Sequence, residues 1–171
     1  MHNIKIAQRW AVLFWRNQFI IKSMKKHIYH SLIAFFGGLC GYSVLFILFY
    51  LANFVGFKNT LPPTFYGYLL WGSFNSILEE GTKFLLIKKW KIGIFPYGFF
   101  LGLGWGLVEM FYRALNGRTI GYMPILLHIL TAGIICYFIK KNKPVLGLLF
   151  GIALHTAYNL MIVYAFPEFL K

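Results

Sequence analysis

The sequence predicts an all-α protein, a polytopic membrane helical bundle of about five transmembrane helices with an N-terminal interfacial amphipathic helix. Three observations predict it. The 171 residues are 59% hydrophobic and only 12% charged, against about 25% charged in a soluble domain. The apolar residues fall into five stretches, each long enough to cross a hydrocarbon core of about 30 Å. The breaks between those stretches are short and hold Lys, Arg, Asn, Pro or Gly. So much apolar surface has no arrangement in water, and the bilayer is its natural solvent.

Residues 1–30 form a basic, amphipathic N-terminal segment. Within 6–22, Ala7, Trp10, Ala11, Phe14 and Ile21 make an apolar stripe flanked by Lys5, Arg9, Arg16 and Lys22, the pattern of a helix lying in the membrane interface. No small-residue cleavage site follows the first apolar run, which is therefore read as a retained span and not as a signal peptide. The spans are placed at 31–55, 64–87, 95–114, 121–139 and 145–165, so residues 31–171 form the transmembrane domain. Short connections make sequential helices antiparallel neighbours in one bundle. Tyr50, Tyr66, Trp90, Tyr97, Tyr122 and Tyr164 sit near span ends, where amphipathic rings anchor at the headgroups.

The charge is lopsided, with 17 Lys+Arg against 4 Asp+Glu and a net +13. No basic groove or recognition helix accompanies it, so nucleic acid is not an expected partner. The lysines cluster between apolar runs, which indicates topology and contact with anionic headgroups of the lipid bilayer. Lys5, Arg9, Arg16, Lys22, Lys25, Lys26, Lys88, Lys89, Lys91, Lys140, Lys141 and Lys143 fall on one side. Only Lys58, Arg113, Arg118 and Lys171 fall on the other. This bias places the N-terminus in the cytoplasm and the C-terminus outside. Cys40 and Cys136 lie inside apolar runs, without the spacing of a disulfide framework or a structural zinc site.

The polar residues inside the spans carry the functional signal. The four acids are all glutamate, and Glu79, Glu80 and Glu109 lie within spans while Glu168 does not. Each buried carboxylate costs at least about 2.5 kcal/mol in the bilayer. His128, His155, Asn159 and Lys83 are also intramembrane. At 1.5 Å of rise per residue, Glu79, Glu109, His128, His155 and Asn159 all lie about 15–22 Å from the basic side. Four helices thus place polar groups at one depth, and one shared pocket is expected. Glu79, Glu80 and Lys83 share a helix face, and His155 and Asn159 are one turn apart. Glycines at four-residue intervals, Gly98, Gly102 and Gly106 before Glu109 and Gly147 and Gly151 before His155, allow the backbones to approach closely.

Simpler readings stand beside this one. Glu80 and Lys83 form an intrahelical ion pair in one of them, and Glu109 pairs with Arg113 in another. His155 and Asn159 serve as interhelical hydrogen-bond glue, and His128 as a packing histidine.

The motifs resemble those of PrsW-like intramembrane proteases, relatives of the CAAX-protease and bacteriocin-processing superfamily. Glu79-Glu80-Gly81-Thr82-Lys83 resembles their EExxK motif, and Trp105-Gly106-Leu107-Val108-Glu109 their aromatic-xxx-E motif. His128 resembles their isolated histidine, and His155-Thr156-Ala157-Tyr158-Asn159 their HxxxN-type motif. The ordered set covers roughly residues 65–165. The wider superfamily has EExxxR and a histidine in its second motif, from which Lys83 and Glu109 depart; Trp105 stands where Phe is usual. The resemblance implies a bacterial cell membrane and peptide-bond hydrolysis of a membrane protein or peptide substrate. It also implies a catalytic set of Glu79, Glu80, Glu109, His128, His155 and Asn159 supported by Lys83.

In that chemistry Glu79 is the expected base for water, Glu80 or Glu109 the neighbouring acid, and Lys83 keeps one carboxylate ionised. His155 and Asn159 donate to the oxyanion, and His128 orients the water or assists Glu109. No cofactor is expected. The alternatives are a zinc-dependent version built on Glu and His, a non-catalytic peptide-binding protein, and a proton-coupled transporter.

Overall fold

The computed structural model describes residues 2–54, 64–90, 95–115 and 121–165. Five helices account for nearly all of them: α1 (His2–Phe54), α2 (Phe65–Lys89), α3 (Phe95–Leu115), α4 (Met123–Lys140) and α5 (Pro144–Ala165). Three contain stretches long and apolar enough to cross a membrane, Phe19–Leu48, Met123–Lys140 and Pro144–Tyr164. α2 and α3 have 25 and 21 residues, sufficient length, but charged and small residues dilute their hydropathy.

The helix ends follow local rules. Thr64 caps α2 by accepting from the Gly67 amide at 3.2 Å, and Lys88 and Lys89 in its last turn complement the helix dipole. α4 ends in a Schellman turn. The amide of Lys143 bonds to Phe138 O at 2.8 Å and that of Asn142 to Ile139 O at 3.0 Å, with Asn142 left-handed at φ 57°. Asparagine tolerates that conformation better than most side chains, and Pro144 then opens α5 without needing an amide bond.

The N-terminal segment expected as an interfacial helix is helical, but it runs into the first span without a break near residue 30. α1 has 53 residues, about 80 Å, so it projects well beyond a bilayer core.

The helices alternate in direction. Tyr97 meets His27 and Tyr112 meets Phe46, so α1 and α3 are parallel. Gly102 lies against His128 and Gly98 against Cys136, so α3 and α4 are antiparallel; Gly147 against Phe138 and Gly151 against Ile135 make α5 antiparallel to α4. As the charge pattern predicts, Lys22, Lys25, Lys26, Lys88, Lys89, Lys140, Lys141 and Lys143 come to the same end of the bundle.

Sequential neighbours do not all pack. α3 packs on α4 and α4 on α5 as expected, but α1 packs chiefly on α3, and α2 chiefly on α5. Glycine is the reason for the first. A Cβ on Gly38 would collide with the Leu101 carbonyl, and one on Gly104 with the Phe35 carbonyl. The expected stripe of Gly98, Gly102 and Gly106 does for α4 what Gly104 does for α1. Tyr97 departs from the interface-anchor expectation. Trp90 lies against Gly37, and Tyr97 is buried with its hydroxyl 2.9 Å from His27 Nδ1. Tyr66, Tyr122 and Tyr164 are exposed as expected; the side chain of Tyr50 lies outside the described residues.

The molecule is apolar outside and polar within. Phe36, Ile47, Leu70, Leu85, Phe111, Leu126 and Leu149 are exposed, while Glu80, Lys83, Glu109, His128, Thr131 and His155 are buried. A water-soluble bundle shows the reverse pattern.

Gly104→Val forces α1 away from α3, and overpacking of this kind costs about 1–3 kcal/mol. Thermal unfolding in detergent should show the loss, while Gly81→Ala, where a Cβ meets nothing within 4 Å, should leave stability unchanged or raised.

Candidate functional site

The interior polar groups form one connected network across α2, α3, α4 and α5. Its centre is Lys83. All three ammonium protons have acceptors: Glu80 Oε1 at 2.5 Å, His128 Nδ1 at 2.9 Å and Thr131 Oγ1 at 2.9 Å. The ammonium also sits 5.5 Å from the centre of the Trp105 ring. A fully buried cation is tolerable only when satisfied in this way.

The roles of His128 follow. An ammonium can only donate, so His128 Nδ1 accepts, and the ring proton resides on Nε2. From there it donates to Glu109 Oε2. Glu109 is also paired with Arg113 one turn later, 2.5 Å from Nη2. On the other side of the lysine, Glu80 Oε1 accepts a second bond from His155 Nδ1 at 2.7 Å. This leaves His155 Nε2 available to an incoming group. Glu80 Oε2 is buried without a hydrogen-bond partner.

Glu79 differs from the other two carboxylates. Its Oε2 accepts from the Trp105 indole at 3.0 Å and lies 3.8 Å from His128 Nε2, and its side chain is 13% exposed while Glu80 is fully buried. Among the described residues no lysine or arginine pairs with it. Thus Glu80 and Glu109 are each fixed by a cation and a histidine, and Glu79 is the carboxylate held only by a neutral donor and a loose histidine contact.

Glu79, His128 and His155 also approach one another closely, with one ligand-type atom from each lying within 4.8 Å of the others. Two histidines and a glutamate are a known catalytic zinc set. The surroundings fit it unevenly. His155 offers Nε2 with its other nitrogen fixed by a carboxylate, as a zinc ligand requires. His128 has one nitrogen on an ammonium and the other on Glu109, so neither is free to coordinate without rearrangement.

The structure brings together Glu79, Glu80, Lys83, Glu109, His128 and His155. Asn159 is used elsewhere. Its amide nitrogen reaches Gly72 O at 3.4 Å and Ser76 Oγ at 3.3 Å, tying α5 to α2 one turn from His155. The two ion-pair readings hold geometrically, since both Glu80–Lys83 and Glu109–Arg113 are formed, yet neither pair is isolated from the network.

Three participants were not anticipated from sequence. Thr131 lies one turn after His128 on the same face, a spacing that could have marked it. Trp105 was noted only as an aromatic in a motif, although an indole four residues before Glu109 faces the same way. Tyr158, whose ring lies 6.5 Å from that of His155, has a buried hydroxyl without a partner, and its place three residues after His155 is the signal that could have marked it. In comparisons with known proteins, no family model, curated protein or solved structure matches the chain.

Lys83→Met leaves Glu80 buried with His155 as its remaining partner, and breaking a buried pair in this way costs about 3–5 kcal/mol. The double variant Glu80→Gln/Lys83→Met should recover part of that loss in thermal unfolding. Strict additivity of the two single effects would show that the pair is not coupled.

Proposed function

We propose that the protein is a glutamate-dependent intramembrane endopeptidase, hydrolysing peptide bonds of membrane-embedded or membrane-proximal proteins. The observation that carries this reading is the asymmetry among the three buried carboxyls. Two are locked into ion pairs, and Glu79 sits beside them, slightly exposed and unpaired by a cation. All five helices cross the bilayer in this account, with the charges of α2 and α3 turned inward.

The charge count suits hydrolysis. Lys83 and Arg113 balance two of the three carboxylates, and low-dielectric surroundings favour a neutral set. One further proton therefore belongs to the cluster, and Glu79 and His155 are the groups with room to hold it. A base that takes a proton and gives it back needs such an arrangement. Glu79 removes a proton from water as its oxygen attacks the scissile carbonyl carbon. The C–N bond then breaks, and the same proton passes to the leaving amine nitrogen. His155, oriented by Glu80, presents Nε2 towards the developing oxyanion when it carries the spare proton. Donors so placed contribute about 3–4 kcal/mol in comparable sites. Glu80 and Glu109 act as anchors of the two histidines, and Asn159 braces α5 against α2.

The motif resemblance supports the same activity and adds the setting, a bacterial plasma membrane with the N-terminus cytoplasmic and the C-terminus outside. The clustering of lysines at one end agrees with that orientation. A zinc-dependent protease is the second reading, favoured by the approach of Glu79, His128 and His155 and opposed by the engagement of both His128 nitrogens. Zinc held by those residues would supply a polarised water.

The test is cleavage of single-span substrates by purified protein in liposomes. Glu79→Gln keeps an acceptor for the Trp105 indole, so it should unfold at the wild-type temperature while losing at least about 100-fold in cleavage rate. Undiminished cleavage in that variant would overturn the assignment. Chelator should leave the wild-type rate unchanged, and its abolition by chelator would replace this mechanism with the zinc-dependent one.

A further inference from the structure

An apolar groove of about 510 Å³ runs along the outside of α1, lined by Tyr29, Ile33, Phe36, Gly37, Cys40 and Trp90. It exists because Gly37 has no side chain, so the Trp90 ring lies directly against the α1 backbone and forms the opposite wall. Tyr29 and Phe36 are exposed, which leaves the groove open to whatever surrounds the bundle. Residues 29–40 extend it over about 16 Å, close to half of a 30 Å hydrocarbon core and so to the depth of one leaflet.

The same helical stripe continues beyond the groove with a change of chemistry. Lys26, Lys25 and Lys22 lie three, four and seven residues before Tyr29, hence on its face of α1, and all three are exposed. Lys88 and Lys89, also exposed, immediately precede Trp90. A one-leaflet apolar channel with a cluster of cations at its mouth is complementary to one ligand, a lipid with an acyl chain and a negatively charged headgroup.

We propose that this groove is a binding site for an anionic phospholipid, with one acyl chain laid between α1 and Trp90 and the headgroup phosphate on Lys22, Lys25 and Lys26. This site is separate from the interior network and does not depend on the protein being a protease. The bilayer bathes every outer face, but here an apolar groove and a run of exposed lysines share one stripe of α1. Each lysine near an anionic headgroup contributes about fivefold in affinity.

The test uses phosphatidylglycerol carrying a photoreactive diazirine in one acyl chain, incorporated with the full-length protein into phosphatidylcholine nanodiscs. After irradiation the labelled residues are mapped by mass spectrometry. Label should concentrate in residues 29–40 and at Trp90, and excess phosphatidylglycerol should displace it while excess phosphatidylcholine does not. Lys22→Gln/Lys25→Gln/Lys26→Gln should lower this label at least tenfold, whereas Lys140→Gln/Lys141→Gln/Lys143→Gln, at the same end of the bundle, should not. Cys40→Trp, which fills the groove at an exposed position, should lower it with the lysines intact. Label spread evenly over the lipid-facing helices would overturn the proposal. Equal competition by phosphatidylcholine, or equal loss in both lysine variants, would do the same.

Discussion

Everything inside this bundle depends on keeping one ammonium group satisfied. Lys83 is fully buried, so its three protons require three acceptors at fixed positions, and those acceptors come from α2 and α4. Each then imposes a requirement of its own. His128, having accepted from the lysine, must donate to Glu109 on α3, and Glu80 must share its oxygen with His155 on α5. A chain of obligatory hydrogen bonds therefore selects which helices are neighbours, where oily packing alone discriminates poorly because lipid is as apolar as leucine. The placement of α2 chiefly against α5, in preference to its sequence neighbours, agrees with this.

The second organising element is glycine. Gly38 and Gly104 bring α1 to α3, and Gly98, Gly102 and Gly106 bring α3 to α4, so α3 is gripped on two sides by backbone contact. Trp105 sits between those contacts, fully buried, and reaches Glu79 with its indole nitrogen. The carboxylate read as the reactive one is thus positioned by a side chain that the glycine packing holds still. A site needs such support if its geometry is to survive thermal motion.

Much of this was legible in the sequence for physical reasons. Acids inside apolar runs are costly, so Glu79, Glu80 and Glu109 announced themselves, and equal depths on four helices foretold their meeting with His128 and His155. The glycine stripe on α3 was equally readable. Pairing across helices was not, because periodicity fixes the face of a residue but not the helix that the face meets. Hence the partnership of α1 with α3, the use of Asn159 as a brace and the inward turn of Tyr97 emerged only from the fold. The unbroken course of α1 through residue 30 was also hidden, since the basic residues that suggest an interface do not by themselves interrupt a helix.

The most direct test of this account is the ring protonation of His128. Nitrogen-15 NMR of protein labelled at histidine and held in nanodiscs reads it, with His128→Gln identifying the signal. The network requires a neutral ring with the proton on Nε2 and an unprotonated Nδ1 that accepts from Lys83. That tautomer would establish the chain from lysine through histidine to Glu109. A proton on Nδ1, in either a neutral or a charged ring, would contradict it, since Lys83 could not then donate to His128 and the order of the interior would have to be drawn differently.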